Sequence, residues 1–237
     1  MNFITKALTL MNFQDSYRVS LRGKLFQDEM NWVFLKTGIH PSDALFISYA
    51  YKGDNYPAYF QGVTDIFAKA GIKLNDIASG DPAALIATAK VIVVGGGDIA
   101  TFMNKMNGLI TPAFNPYIAI KNKVEGGVPY IGWNEGSGII SPKYFVPPSN
   151  SLLTGINVSP FQIVGNYVSS AANKKAIFDF LVANPAIKKV ICQVDRPGGD
   201  GTSVRLEESG SGMIDSPTAP FPTVINYKIV NGVLIES

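Results

Sequence analysis

Two glycine-rich turns, each directly after an apolar run, constrain the fold of this chain most strongly. The first is VIVVGGGDIATF, beginning at Val91, and the second is VPYIGWNEGSGIIS, beginning at Val128. Continuous apolar, β-branched runs are typical of strands buried on both faces of a sheet, so both turns are expected at strand ends. In the second turn, Gly132 and Gly136 have the spacing of a nucleophile elbow, G-x-S-x-G. Asn134 stands where that motif carries serine.

Helical and strand-like patterns alternate along the chain with short connections between them. This alternation predicts an α/β fold, in which helices cover both faces of a mostly parallel sheet. The expected helices are Leu21–Thr37, Tyr56–Ala70, Pro82–Lys90, Ala100–Met106, Asn115–Val124 and Asn173–Asn184. The expected strands are Phe3–Phe13, Ala44–Tyr51, Ile72–Ile77, Val91–Val94, Val128–Trp133, Pro160–Val164 and Lys189–Val194.

The C-terminal part of the chain is predicted to end in a β-hairpin over Val224–Ile235, with Asn-Gly in its turn. Two other stretches, 137–157 and 196–222, are rich in Ser, Pro, Asn or Gly and are expected to be irregular, apart from a short strand at Ser203–Glu207. No repeat or linker divides the sequence, so residues 1–237 are expected to form a single domain.

The composition excludes several classes of function. The 237 residues carry a net charge of +2, and the scattered Lys and Arg form no basic stripe for nucleic acid. No apolar run reaches the roughly 18–20 residues of a membrane span. The first residues lack the pattern of a signal peptide, so we expect a cytoplasmic protein without a membrane partner. The single cysteine, Cys192, excludes an internal disulfide and is expected to be buried and inert.

The turn Gly95-Gly96-Gly97-Asp98 admits three interpretations. It could cradle a phosphate, supply backbone N–H groups to an oxyanion, or simply allow a tight turn. The sequence lacks both the G-x-G-x-x-G spacing and the lysine of a phosphate-binding loop. With an elbow one strand later, the oxyanion interpretation is favoured, and we expect neither a cofactor nor a metal ion.

The pair VIVVGGGDIATF and VPYIGWNEGSG resembles the serine peptidase family of aspartyl dipeptidase (peptidase E) and cyanophycinase. The resemblance covers most of residues 1–207 and implies the fold of class I glutamine amidotransferases. It also implies that Gly95, Gly96, Gly97 and Asp98 form the oxyanion turn. The nucleophile of the family would fall on Asn134.

The chain departs from that family at each catalytic role. An asparagine amide cannot be activated as a nucleophile by a general base. The stretch that carries the family histidine corresponds best to Val158–Phe161, which puts Phe161 in the histidine's place. Residues 136–178 contain no Asp or Glu to act as the catalytic acid. The sole histidine, His40, lies far upstream before Pro41 and is expected in a loop.

Two interpretations of the elbow Gly132-Trp133-Asn134-Glu135-Gly136 follow. In the first, Asn134 only preserves the turn, because asparagine tolerates the positive φ of an elbow better than most residues. In the second, the site is rebuilt around Asp98 and Glu135, two carboxylates that could bind a cation or perform acid–base chemistry. Ser137 and Ser141 supply nearby hydroxyls without a base.

Two functions therefore stay open. The first is a catalytically inactive family member that acts as a binding or self-assembling structural module, as a homo-oligomer or within an assembly such as a virion. An exposed cluster of Tyr49, Tyr51, Tyr56 and Tyr59 and the 196–222 loop are expected to favour such association. The second is a hydrolase with a rewired site that acts on Asp-containing peptides. Either function is compatible with a small peptide ligand.

Overall fold

The fold is described from a computed structural model. The structure describes residues 6–12, 19–38, 43–149, 152–194, 202–208, 213–217 and 224–237. The helices are α1 (Val19–Thr37), α2 (Tyr56–Ala68), α3 (Pro82–Thr88), α4 (Ile99–Gly108), α5 (Pro116–Glu125), α6 (Glu135–Ile139) and α7 (Ala171–Ala183). The strands are β1 (Lys6–Asn12), β2 (Asp43–Ile47), β3 (Lys73–Asp76), β4 (Ile92–Val94), β5 (Tyr130–Trp133), β6 (Lys143–Phe145), β7 (Leu152–Thr154), β8 (Gln162–Tyr167), β9 (Val190–Val194), β10 (Thr202–Glu208), β11 (Met213–Pro217), β12 (Val224–Val230) and β13 (Val233–Glu236).

The largest sheet has seven strands in the order β11-β10-β1-β5-β4-β2-β3. Strands β1, β5, β4, β2 and β3 pair in parallel, and β10 and β11 extend the sheet in antiparallel fashion. The α/β fold with a mostly parallel sheet is thereby confirmed. The carboxyl ends of the parallel strands all lie along one edge, where such sheets usually bind ligands.

Alternate residues of the parallel strands pack against helices on opposite faces of the sheet. In β2, Leu45 and Ile47 join the core formed with α4, α5 and α6, whereas Phe46 joins the core formed with α1 and α2. Both cores are apolar, which explains why these strands are uninterrupted hydrophobic runs rather than alternating ones. Burying each such side chain contributes roughly 1.5–3 kcal/mol before the entropy of ordering is counted.

A second sheet has four strands in the order β13-β12-β9-β8 and packs against α7. The predicted C-terminal hairpin is present as β12 and β13, and both of its turn residues have positive φ, 50° at Asn231 and 78° at Gly232. These angles are the ones that an Asn-Gly hairpin turn requires. Cys192 in β9 is fully buried, as predicted.

Two expectations of irregular structure were wrong. The segment 137–157 contains most of α6 together with β6 and β7, which pair only with each other among the described strands. The segment 196–222 contains β10, whose strand was anticipated, and also β11 on the edge of the large sheet. In both cases backbone pairing with a neighbouring strand overrides the weak strand propensity of Ser, Pro and Gly.

One buried ion pair connects the helical layer to the sheet. The carboxylate of Glu29 in α1 is fully buried and lies 3.1 Å from Nε of Arg205 in β10, and Arg205 Nη2 donates a second hydrogen bond to it. The guanidinium also lies 5.2 Å from the ring centroid of Trp32. Planar guanidinium groups suit such paired and stacked geometry.

Removing the cation of this pair should destabilise the fold strongly. We expect Arg205→Ala to lower the free energy of unfolding by about 3 kcal/mol, because Glu29 would keep a buried charge without a counter-charge. The matched control is Lys175→Ala, which removes an exposed helical pair with Asp179 and should cost less than about 0.5 kcal/mol. Urea unfolding of both variants measures the difference, and equal losses would contradict the proposed role of burial.

Candidate functional site

The two glycine-rich turns meet because β4 and β5 are neighbours in the sheet. Val94 and Gly132 are paired in register, so the turn after each strand begins at the same edge. An added Cβ atom at Gly96 would lie 2.8 Å from Cβ of Asn134 and 3.0 Å from the Trp133 carbonyl oxygen. The turns are therefore packed directly against each other, and a larger residue at Gly96 would separate them.

The elbow is a strand–turn–helix connection with Asn134 at its apex. Asn134 has φ of 51° and ψ of −112°, and α6 begins at the next residue. A Cβ atom at Gly136 would lie 2.2 Å from the Val94 carbonyl oxygen, so only glycine allows this close approach. The fully buried Tyr130 hydroxyl donates to the Gly136 carbonyl at 2.6 Å and fixes the start of α6. The predicted positive φ of the elbow is thus present at Asn134.

The first turn is shaped by an equally close approach. Gly97 has φ of 151°, and a Cβ atom there would lie 2.1 Å from the Ala50 carbonyl oxygen. That same carbonyl accepts a hydrogen bond from the Asp98 amide at 2.6 Å. The chain after β2 therefore holds the glycine turn in place from one side, while the elbow holds it from the other.

The carboxylate of Glu135 lies beside two backbone N–H groups, one from the glycine turn and one from the elbow. Its Oε2 accepts a hydrogen bond of 2.6 Å from the Gly97 amide, and the backbone N–H of Glu135 itself is close enough to the carboxylate to lower its pKa. In elbow hydrolases, the residue after the nucleophile and a second loop supply the two N–H groups of the oxyanion hole. In this chain the N–H of Glu135 directly follows the elbow apex, and the N–H of Gly97 comes from a second loop.

Burial raises the pKa of the Glu135 carboxyl above its ordinary value of 4.5. The two backbone hydrogen bonds oppose this shift, and the nearby charge of Asp98 adds to it. The net direction shows that desolvation outweighs the backbone donors at this position.

Asp98 is brought close to Glu135, as its strand position predicts, but its carboxylate is engaged locally. It caps α4 by accepting hydrogen bonds of 2.7 Å from both the amide and the hydroxyl of Thr101. These bonds, with a smaller contribution from Lys52 at 3.8 Å, lower the pKa of Asp98. The carboxylate is therefore held as an anion at a helix N-terminus, where negative charge is favourable.

The two serines that follow the elbow are structural. Both Ser137 and Ser141 are fully buried. The Ser137 hydroxyl donates to the Gly132 carbonyl at 3.0 Å, and the Ser141 hydroxyl accepts from the Ile163 amide at 2.8 Å. Each hydroxyl thus satisfies a buried backbone group and is directed into the fold.

Among the described residues, no histidine lies beside the elbow, whereas the carboxylates of Asp98 and Glu135 do. Phe161 precedes β8, packs against the core and lies 4.5 Å beneath Lys189 Nζ. Its correspondence to the family histidine stays a prediction. His40 lies outside the described residues. Within the described ranges, no group of three or more His, Cys, Asp or Glu side chains could hold a metal ion.

The tyrosines that were expected to form an exposed cluster are buried or half-buried, so the expectation of exposure was wrong. Tyr49 is buried, and Tyr51, Tyr56 and Tyr59 are half-buried. The rings of Tyr51 and Tyr59 stack at 4.4 Å, and the Tyr56 hydroxyl donates to the carboxylate of Asp76. Mutual stacking removes these rings from solvent.

Two tyrosines, Tyr59 of this cluster and Tyr144 in β6, have phenol groups that feel the charge of Glu135. The Tyr59 hydroxyl lies 2.8 Å from where a Cβ atom of Gly95 would be, and it has no hydrogen-bond partner among the described residues. Burial raises the pKa of Tyr59 and of Tyr144, and the charge of Glu135 raises both further. Sequence reasoning missed Tyr144, because no motif marks a tyrosine in a short strand.

The fold and the site together define an α/β protein with a strand–turn–helix elbow at the carboxyl edge of a parallel sheet. The sequence profile of peptidase family S51 matches residues 28–210. Peptidase E of Nostoc sp. is 29% identical over 188 residues, which cover 73% of this chain and 72% of the relative. Peptidase E of Shewanella denitrificans is 27% identical over 187 residues, covering 72% and 76%. The chain belongs to peptidase family S51, which confirms the resemblance seen in the two motifs.

Solved structures support the same fold. A peptidase from an acI-B1 actinobacterium superposes with a TM-score of 0.63 at 13% identity, covering 99% of this chain and 96% of its own. A putative peptidase E protein from Listeria monocytogenes gives a TM-score of 0.55 at 15% identity, covering 90% and 99%. Among the helices of the described ranges, none is long and apolar enough to cross a membrane.

The raised pKa of Glu135 predicts a pH-dependent contribution to stability. Because the folded-state pKa lies above 4.5, ionisation of this carboxyl costs free energy in the folded protein. The free energy of unfolding of the wild type, relative to that of Glu135→Gln, should be largest below pH 4.5. It should fall as the pH rises from there through the folded-state pKa of Glu135. Urea unfolding at several pH values measures this difference. Glu125→Gln, which removes an exposed carboxylate, is the control, and a flat difference for Glu135→Gln would contradict the prediction.

Proposed function

We propose that this chain is a member of peptidase family S51 that does not hydrolyse peptides and that uses its fold as a binding and assembly module. One observation carries the proposal. The carboxylate of Glu135 accepts the hydrogen bond of the Gly97 N–H and lies beside the N–H of Glu135, the two donors to which an oxyanion would otherwise bind. The protein thus fills its own oxyanion position with a negative charge.

The electrostatics of this arrangement oppose acyl transfer. A tetrahedral intermediate develops negative charge on the oxygen that the donors stabilise. Two like charges about 4 Å apart repel by about 4 kcal/mol at an effective dielectric constant of about 20. Loss of a single oxyanion donor costs about 2.7–4 kcal/mol in comparable sites. Glu135 would impose both penalties, in addition to the missing nucleophile at Asn134.

A rewired hydrolase is the second candidate, and one observation favours it. The pKa of Glu135 is raised, whereas the pKa of the neighbouring Asp98 is lowered. Two carboxyl groups with pKa values displaced in opposite directions are typical of an acid–base pair. Against this candidate, the Asp98 carboxylate caps α4 through Thr101, so it is committed to the fold.

Turnover of Asp-containing dipeptides separates the two candidates. We expect no hydrolysis above a blank for the wild type. We also expect none for Asn134→Ser, because the variant keeps Glu135 on the donors and has Phe161 in the expected place of the family histidine. The double variant Asn134→Ser/Glu135→Ala removes the carboxylate from the two N–H donors. It therefore controls for the effect of that carboxylate on the activity of Asn134→Ser. Wild-type turnover that is lost in Glu135→Gln would establish the rewired hydrolase instead.

The assembly part of the proposal is supported by the C-terminal hairpin. Val230, Val233 and Ile235 on β12 and β13 expose large apolar side chains, and β13 pairs only with β12 among the described strands. An edge strand with exposed valine and isoleucine offers both backbone hydrogen bonds and apolar contact to another strand. We infer that the partner is a second copy of this chain, paired strand to strand.

Self-association should depend on this hairpin. Light scattering over a concentration series is expected to show a defined oligomer for the wild type and a shift toward monomer for Val233→Lys. Leu35→Lys provides the control, because Leu35 is also a strongly exposed apolar residue but lies on α1. A monomeric wild type at every concentration, or an equal effect of both variants, would exclude this mode of assembly.

A further inference from the structure

The backbone at the elbow apex has a second chemical consequence, because the apex residue is asparagine. Asn134 has ψ of −112°. In an L-residue, Cβ is offset from the backbone nitrogen by about 120° around the Cα–C bond. The dihedral angle from Cβ of Asn134 to the backbone nitrogen of Glu135 is therefore close to zero, at about 8°. The nitrogen thus lies on the same side as the asparagine side chain.

Ordinary backbone conformations hold these atoms apart. With ψ near −42° in a helix, the same dihedral angle is about 78°, and with ψ near 135° in a strand it is about 105° in the opposite sense. A five-membered ring through Cα, Cβ, Cγ, the nitrogen and the main-chain carbonyl carbon requires an angle near zero. The elbow enforces this angle through the close contacts at Gly96 and Gly136.

We propose that Asn134 is a self-modification site, at which the backbone nitrogen of Glu135 attacks Cγ of Asn134 and forms a succinimide. A new bond forms between that nitrogen and Cγ, and the bond from Cγ to Nδ2 breaks. The backbone proton is transferred to the departing Nδ2, which leaves as ammonia. The reaction needs no oxidant, reductant or second substrate.

The surroundings of the attacking nitrogen favour the reaction. Glu135 is the first residue of α6, so its N–H belongs to the helix end and makes no hydrogen bond within the helix. The Asn134 carbonyl oxygen accepts from the amides of Ser137 and Gly138 at 3.0 and 3.2 Å, and ring formation leaves that oxygen in place. The carboxylate of Glu135 lies beside its own N–H and is placed to take that proton as a base and pass it to the departing Nδ2.

Hydrolysis of the ring would change the chemistry of the elbow. Water can open the imide at Cγ to give aspartate or at the main-chain carbonyl to give isoaspartate. Asn134 is only half-buried, so water can reach the ring. The aspartate product would place a carboxylate, which can act as a covalent nucleophile, at the position of the family serine.

Two tryptic peptides allow a clean test. Cleavage after Lys123 and Lys143 releases a peptide in which Asn134 is the only asparagine, with no glutamine or aspartate. Cleavage after Lys228 releases the C-terminal peptide, in which Asn231 is the only asparagine. Asn231 precedes glycine, which hinders attack by the backbone nitrogen least, so it serves as the internal control in the unfolded chain.

The experiment incubates native protein and protein unfolded in urea side by side and follows both peptides by mass spectrometry. We expect loss of ammonia or deamidation at Asn134 to be about tenfold or more faster in the native protein, because the fold supplies the reactive geometry. Glu135→Gln should slow the reaction at Asn134 without changing that at Asn231. Equal rates in native and unfolded protein, or an intact Asn134 while Asn231 reacts, would overturn the proposal.

This inference is independent of the proposed loss of peptidase activity. It depends on the backbone angle at Asn134 and on the Glu135 carboxylate as a base, so an intact Asn134 would leave the argument from the oxyanion donors unchanged. Conversely, dipeptide hydrolysis could be observed with a preparation in which position 134 is wholly asparagine. That result would contradict the proposed function but would not bear on the proposed modification of Asn134.

Discussion

The hydrogen bond from the Gly97 amide to the Glu135 carboxylate joins the two turns on which the site depends. Its length of 2.6 Å is possible only because Gly96 and Gly136 let the turns after β4 and β5 approach closely. Charge-assisted hydrogen bonds of this kind are roughly twice as strong as neutral ones. In the proposed function, the same contact that joins the turns also removes the two N–H donors from catalysis. The close joining of the two turns and the proposed loss of activity thus have one cause.

The rest of the molecule serves to hold that contact at the edge of the sheet. Apolar residues on both faces of β4 and β5 pack against helices, which leaves the strand ends as the place where polar groups converge. Tyr130 beneath the elbow and Tyr59 beside the glycine turn complete the enclosure with aromatic rings. Burial at this enclosure dominates the pKa of Glu135 and raises it above the ordinary value.

Much of this arrangement could be predicted from the sequence, because the relevant signals are local. Continuous apolar runs predicted the parallel sheet, Asn-Gly predicted the hairpin, and the G-x-N-x-G spacing predicted the positive φ of Asn134. The signals that failed are those that depend on distant partners. The bond of Glu135 to Gly97 spans the two turns, Glu29 pairs with Arg205 across the fold, and β11 forms only because β10 offers an edge. The stacked tyrosines likewise become buried only through one another.

The central claim is that the Glu135 carboxylate occupies the oxyanion donors in solution. The most direct test follows the amide proton of Gly97 by NMR during a pH titration. The chemical shift of this amide should titrate with a midpoint above 4.5, the ordinary value for Glu135, because its hydrogen bond weakens when the carboxyl is protonated. The titration should vanish in Glu135→Gln. The account would be contradicted if the chemical shift of the Gly97 amide did not change with pH, or if it titrated in Glu135→Gln as it does in the wild type. Either result would show that the Glu135 carboxylate does not occupy the donors.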